Sequence, residues 1–206
     1  MNGTTFLTGE LSAAKLPRPN EKAYRLKNHL RLGFIKGWLE VTVAKAVSKF
    51  FGTTVITSQL SGVLIHAGKE YDLGILSYRK VTDNGVQFIT DAWRNSVELE
   101  TMKYHGCGTG TNAEATADTA LQTESTTALN PDSTRATGTL AGSAATFTSV
   151  GTPTFDATAA ITEHGLLSQA ATGGGVLFDR SVFSAINVVS GDSIQFTYTV
   201  TLTSGG

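Results

Sequence analysis

The closing stretch INVVSGDSIQFTYTVTLTSGG constrains the fold more than any other part of the chain. Ile194, Phe196, Tyr198, Val200 and Leu202 alternate with polar positions, and a period of two puts all five on one face of a β-strand. Ser190-Gly191-Asp192 supplies a turn between that strand and Val188-Val189. A strand with one apolar face must bury it against another layer, so further strands have to exist elsewhere in the chain. AAITEHGLLS and GGVLFDRSVF alternate in the same way, and three or four strands are predicted across this tail.

Composition agrees. Of 206 residues 31 are Thr, 22 Gly and only four Pro, and charged residues make up 16% where about 25% is usual. β-Branched Thr suits a pleated surface, and glycines suit the turns between strands. The single cysteine, Cys107, excludes an intrachain disulfide, so burial and backbone pairing must hold the fold. No apolar run approaches the roughly 18 residues of a membrane span, and the basic N-terminal region has no apolar core of the secretory type. A soluble chain made in a cytoplasm is therefore expected. The net charge of −1 conceals a division: residues 1–50 hold nine Lys and Arg against three Asp and Glu, and the remainder holds seven against fourteen. A basic start and an acidic body suit different surroundings.

Residues 1–19 end in LPRP and read as an extended arm, because the prolines oppose a helix. Asn20 can cap a short amphipathic helix in which Ala23, Leu26 and Leu30 share a face, ending near Gly33. The arm and helix, residues 1–33, are expected to form one unit and residues 34–206 a single β-sandwich domain. WLEVTVAKAV reads as a strand, with Trp38, Thr42 and Ala44 alternating against Leu39, Val41 and Val43, although VAKAVSKFF also fits a short helix. TTVITSQ and SGVLIHAG read as further strands. In DLGILSYRKVTDNGVQFITDAW, Asp83-Asn84-Gly85 predicts a tight hairpin, since Asn and Gly tolerate the positive φ of a type I′ turn. NSVELETMKYH alternates as a strand, and residues 108–160, poor in large apolar side chains, read as long Thr- and Gly-rich loops with edge strands. The pattern predicts an all-β fold, an antiparallel β-sandwich or jelly roll with an N-terminal extended arm and one short helix.

The segment KYHGCGTGTNAEATADTALQTE carries the candidate chemistry. Gly108, Gly110 and Ala113 satisfy a loose dinucleotide pattern, but it lacks the buried parallel strand before it and the apolar-striped helix after it, and no Walker triplet follows. His105 and Cys107 could share a metal or act as base and nucleophile, yet no further ligands or orienting group lie near in sequence. No catalytic residue, cofactor or metal is assigned. The basic face of Lys22, Arg25, Lys27 and Arg31, with Leu26 and Leu30, is assigned instead to a protein partner in preference to nucleic acid, against the alternative of a solvated helix face. Trp38 and Trp93 read as core or interface anchors.

His105-Gly106 with Gly108-Thr109-Gly110, the Asp118 to Glu124 segment, Glu163-His164-Gly165, and Asp179-Arg180 before Phe183 resemble, over residues 70–202, a group of tailed-bacteriophage capsid decoration, cement or minor virion structural proteins. The resemblance implies a non-enzymatic β-rich body on the outer surface of the virion head, with the major capsid protein as partner. It implies no cofactor, no membrane, and self-association as a dimer or trimer. The alternatives are a tail, baseplate or head–tail connection protein, and a carbohydrate-binding or adhesion module in which Trp93 or Tyr104 stacks on sugars.

Overall fold

The computed structural model describes residues 20–78 and 80–204. The extended arm expected for residues 1–19 lies outside the described residues. Two helices come first, α1 (Glu21–His29) and α2 (Leu32–Phe51), followed by β1 (Val55–His66), β2 (Lys69–Tyr78), β3 (Lys80–Val81) and α3 (Asp83–Trp93). After a single 3₁₀ turn at Leu99–Thr101 come β4 (Tyr104–Gly108), β5 (Ala136–Thr137), β6 (Thr139–Ser143), β7 (Thr146–Gly151), β8 (Ala159–Leu167), β9 (Leu177–Val188) and β10 (Ser193–Thr203).

The strands form two five-stranded sheets, ordered β2-β1-β10-β7-β6 and β3-β9-β8-β4-β5, with antiparallel pairing throughout. The expected alternation of β10 holds: Ile194, Phe196, Tyr198 and Val200 are buried, and Leu202 sits at the rim. Their partners in the core include Leu60 and Leu64 of β1 and, from the other sheet, Ile161, Leu166, Phe183 and Ile186. Contact between the layers is direct, since the His164 ring of β8 lies 4.5 Å from that of Phe196. Gly191, at φ +88°, makes the turn into β10.

Four sequence expectations are corrected. The stretch read as a strand at 38–47 lies inside α2, a 20-residue helix, so the first strand is β1, beginning at Val55. Gly37 explains the seating of that helix: a Cβ there would lie 2.8 Å from the Tyr78 carbonyl oxygen, so its absence lets helix and β2 backbone touch.

The hairpin predicted at Asp83-Asn84-Gly85 is instead the first turn of α3. Thr82 caps it, its hydroxyl accepting from the Gly85 N–H at 3.0 Å and donating to the Leu177 carbonyl at 2.6 Å. Asp83 sits in the first turn, where a carboxylate favours the helix. Phe88, buried in the core, and Ile89 lie at helical spacing beyond it. The two-residue primed turn exists elsewhere, at Ala67-Gly68 with φ of 48° and 72°, and joins β1 to β2.

NSVELETMKYH is a strand only from Tyr104 onward. Residues 108–160, expected to be exposed loops with edge strands, do supply the edge strands β5 and β6, but they also contribute β7 and bury Leu121, Leu129 and Phe155.

Candidate interaction surface

The polar motifs of the sequence converge inside the fold. Glu163 on β8 is fully buried, and its carboxylate accepts from the N–H groups of Gly110 (3.0 Å), Gln122 (3.0 Å) and Thr123 (2.7 Å) and from Arg180 Nε (2.8 Å). Arg180 on β9 also donates to Asp118 at 3.0 Å. Burial alone would lower the proton affinity of this guanidinium, but its hydrogen bonds to the Glu163 and Asp118 carboxylates outweigh it, and the pKa rises.

A second buried arginine, Arg135, makes a forked pair with Glu124 and donates to the carbonyls of Gln169 (2.8 Å) and Gly174 (2.9 Å). Between the sheets, His105 Nδ1 lies 2.9 Å from His164 Nε2, and His105 Nε2 lies 2.9 Å from Ser149 Oγ. The loop from 109 to 125 is therefore clasped to β8 by the Glu163 carboxylate and tied to β4 by the backbone bond from the Ser125 N–H to the Cys107 carbonyl.

This geometry explains the alternate glycines. Cβ atoms at Gly108 and Gly110 would lie 2.1 Å from the Thr123 carbonyl oxygen and 2.5 Å from Glu163 Oε1. None of Gly106, Gly108 and Gly110 has positive φ, so the glycines provide room for the clasp and not an unusual backbone bend.

Cys107 is buried, and burial first, then the charges of Glu124 and Glu163, push its thiol above the ordinary range. Nucleophilic chemistry and metal ligation both need a thiolate, which this setting disfavours. Among the described residues no group of three or more His, Cys, Asp and Glu side chains is placed to hold a metal ion.

The six residues assigned to a partner divide. Arg25 turns to the body, paired with Asp72 Oδ2 at 2.7 Å and donating to the Asp72 carbonyl. Arg31 is half-buried, its pKa lowered by burial with Glu114 partly compensating. Lys22, Leu26, Lys27 and Leu30 face solvent, Leu26 at 63% and Leu30 at 68% exposure. The helix bearing them is anchored by buried Asn28, which donates to the Leu76 carbonyl (2.7 Å) and accepts from the Ser184 N–H (2.9 Å). Tyr24 adds a bond from its hydroxyl to the Ser184 carbonyl at 2.7 Å.

Two larger apolar surfaces were missed by the sequence reading. On α2, Gly37 and Ser48 face the body, while Leu32, Ile35, Leu39, Val43, Ala46 and Phe50 line the opposite side and are exposed, Leu32 and Phe50 at 83%. Their spacing of three or four residues was the available signal, masked by the β-branched run that also fits a period of two. No helix among the described residues is long and apolar enough to cross a membrane.

The second surface is an apolar cleft of about 170 Å³ where the sheets open, lined by Ile56, Ile89, Trp93, Leu99, Phe147 and Leu202 among others. Trp93, at its rim, is 78% exposed, and Trp38 on α2 is half-exposed, so neither tryptophan belongs to the core. Tyr104 is half-buried in β4. Comparison with protein-family models, curated proteins and solved structures finds no match.

Proposed function

We propose that the chain is a non-enzymatic virion structural protein, a capsid cement or decoration protein that binds the outer face of a phage head and holds major capsid subunits together. One observation carries the reading: the acidic, basic and imidazole side chains at the motifs are consumed in internal pairing, while large apolar side chains stand outside. A protein of that kind acts through the contact it makes. The nested pairs β1/β10, β3/β9 and β4/β8 support the finer reading of the sandwich as a jelly-roll relative.

The Trp93 cleft is the surface we assign to the major capsid protein, because a large ring at the rim of an apolar pocket is the usual anchor of a tight interface. Binding the assembled shell, and not dissociated subunits, stabilises the shell by mass action and requires no turnover.

The test compares purified virions with and without the protein. Loss of heat or osmotic stability in its absence, restored by adding the purified chain but not a Trp93→Ala variant, is the expected result. Equal stability of both particles would refute the reading, and a copy number fitting a single ring would move the protein to the tail.

A further inference from the structure

We infer that α2 is a self-association helix, pairing antiparallel with α2 of a second copy about a two-fold axis beside residue 41. The side of α2 away from its own body is apolar along its whole length, and a helix outside a core normally shows a polar outer face. Something of similar character must cover it.

The order of side chains points to another copy of the same helix. A two-fold contact is isologous, so the stripe must be complementary to itself when reversed. Reversal about residue 41 sets Leu32 against Phe50 of the other copy, Leu39 against Val43, and Ile35 against the exposed Val47. Each of these pairs is apolar on both sides, as a self-complementary seam requires. The body-facing residues Gly37 and Ser48 lie on the far side of the helix, so each copy keeps its own sheet contact while its outer stripe is covered.

Charge also permits the pairing. Lys36, the cation nearest the stripe, is held 4.0 Å from Glu40 on the same helix, so two identical faces meet across a locally neutral flank. Lys45 and Lys49 lie farther round. Area is sufficient as well: a 20-residue helix is about 30 Å long and about 11 Å across, so its outer half offers about 500 Å². Two copies then bury about 1,000 Å², the lower limit for a specific interface. Leu26 and Leu30 of α1 are available to extend it.

The pairing is independent of the virion reading, and its test needs only the purified full chain. Light scattering or equilibrium sedimentation should give twice the 21.7 kDa chain mass. Leu39→Glu, a change at an exposed position, should return the mass to one chain with an unchanged circular dichroism spectrum. Val86→Glu, on the exposed side of α3, should leave the pair intact. Spin labels should report a short distance between position 32 of one copy and position 50 of the other. A single-chain mass for the unaltered protein, a pair that survives Leu39→Glu, or a trimer would each overturn the inference. Loss of virion binding with the pair retained would count against the proposed function alone.

Discussion

Replacing Glu163 by Gln tests the clasp at its centre. The carboxylate is fully buried and holds four donors, three backbone N–H groups and Arg180 Nε. Gln keeps one acceptor, which can continue to serve Gly110 and Thr123. Its amide nitrogen would then point two hydrogens at the Gln122 N–H and at Arg180, where donors already stand. Two bonds to a charged group are lost, at about 1.5–3 kcal/mol each. Arg180 is left with Asp118 as its carboxylate partner, and breaking one side of a buried pair costs about 3–5 kcal/mol. These overlap, so the expected loss is about 3–5 kcal/mol in total. In a domain of this size each kcal/mol lowers Tm by about 2–4 °C, giving a fall of about 6–20 °C. Urea unfolding followed by circular dichroism measures the same quantity directly. A loss below about 1 kcal/mol, the size of one ordinary neutral hydrogen bond, would show that the carboxylate does not hold the loop. Asp118→Asn should cost clearly less, since that side chain is partly exposed.

Other expectations follow from the same structure. Gly110→Ala should destabilise by about 2 kcal/mol or more, because its Cβ would lie 2.5 Å from Glu163 Oε1, an overpacked contact. Gly33→Ala, with its nearest contact at 4.0 Å, should stabilise α2 by about 0.5–1 kcal/mol, and paired thermal melts would distinguish the two. Thr82→Ala should cost about 1–2 kcal/mol through loss of the α3 cap, measured by chemical unfolding. Asn28→Ala should free α1, so that hydrogen exchange accelerates in α1 and α2 while β10 stays protected.

Cys107 should resist alkylation in the native protein and react once urea exposes it. The unfolded chain releases the thiol proton near its ordinary pKa while the folded chain keeps it, so this contribution is intact below about pH 8.5. It falls as pH rises above that, by up to about 1.4 kcal/mol per unit. Stability of Cys107→Ala should show less of this alkaline decline.

The sequence by itself determined the elements whose cause is local or periodic. β10 alternates cleanly because one face packs on the opposite sheet, and Asn20 caps α1 through its own side chain, which accepts from the Ala23 N–H at 3.1 Å. Tertiary structure decided the rest. A β-branched run such as Leu39 to Val47 is compatible with two periods, and the chain becomes a helix where Gly37 can rest on the Tyr78 backbone. Asp83-Asn84-Gly85 carries a strong turn signal, yet Thr82 and the Leu177 and Phe178 carbonyls of β9, nearly a hundred residues away, make it a helix start. The glycines around Cys107 were visible, but the reason for them was not. Glu163 lies 40 to 53 residues from the N–H groups it gathers, and only folding brings a carboxylate close enough that a side chain there would collide with it. Local energies of about 1 kcal/mol per residue set the candidates, and long-range packing and the pairing of buried polar groups chose among them.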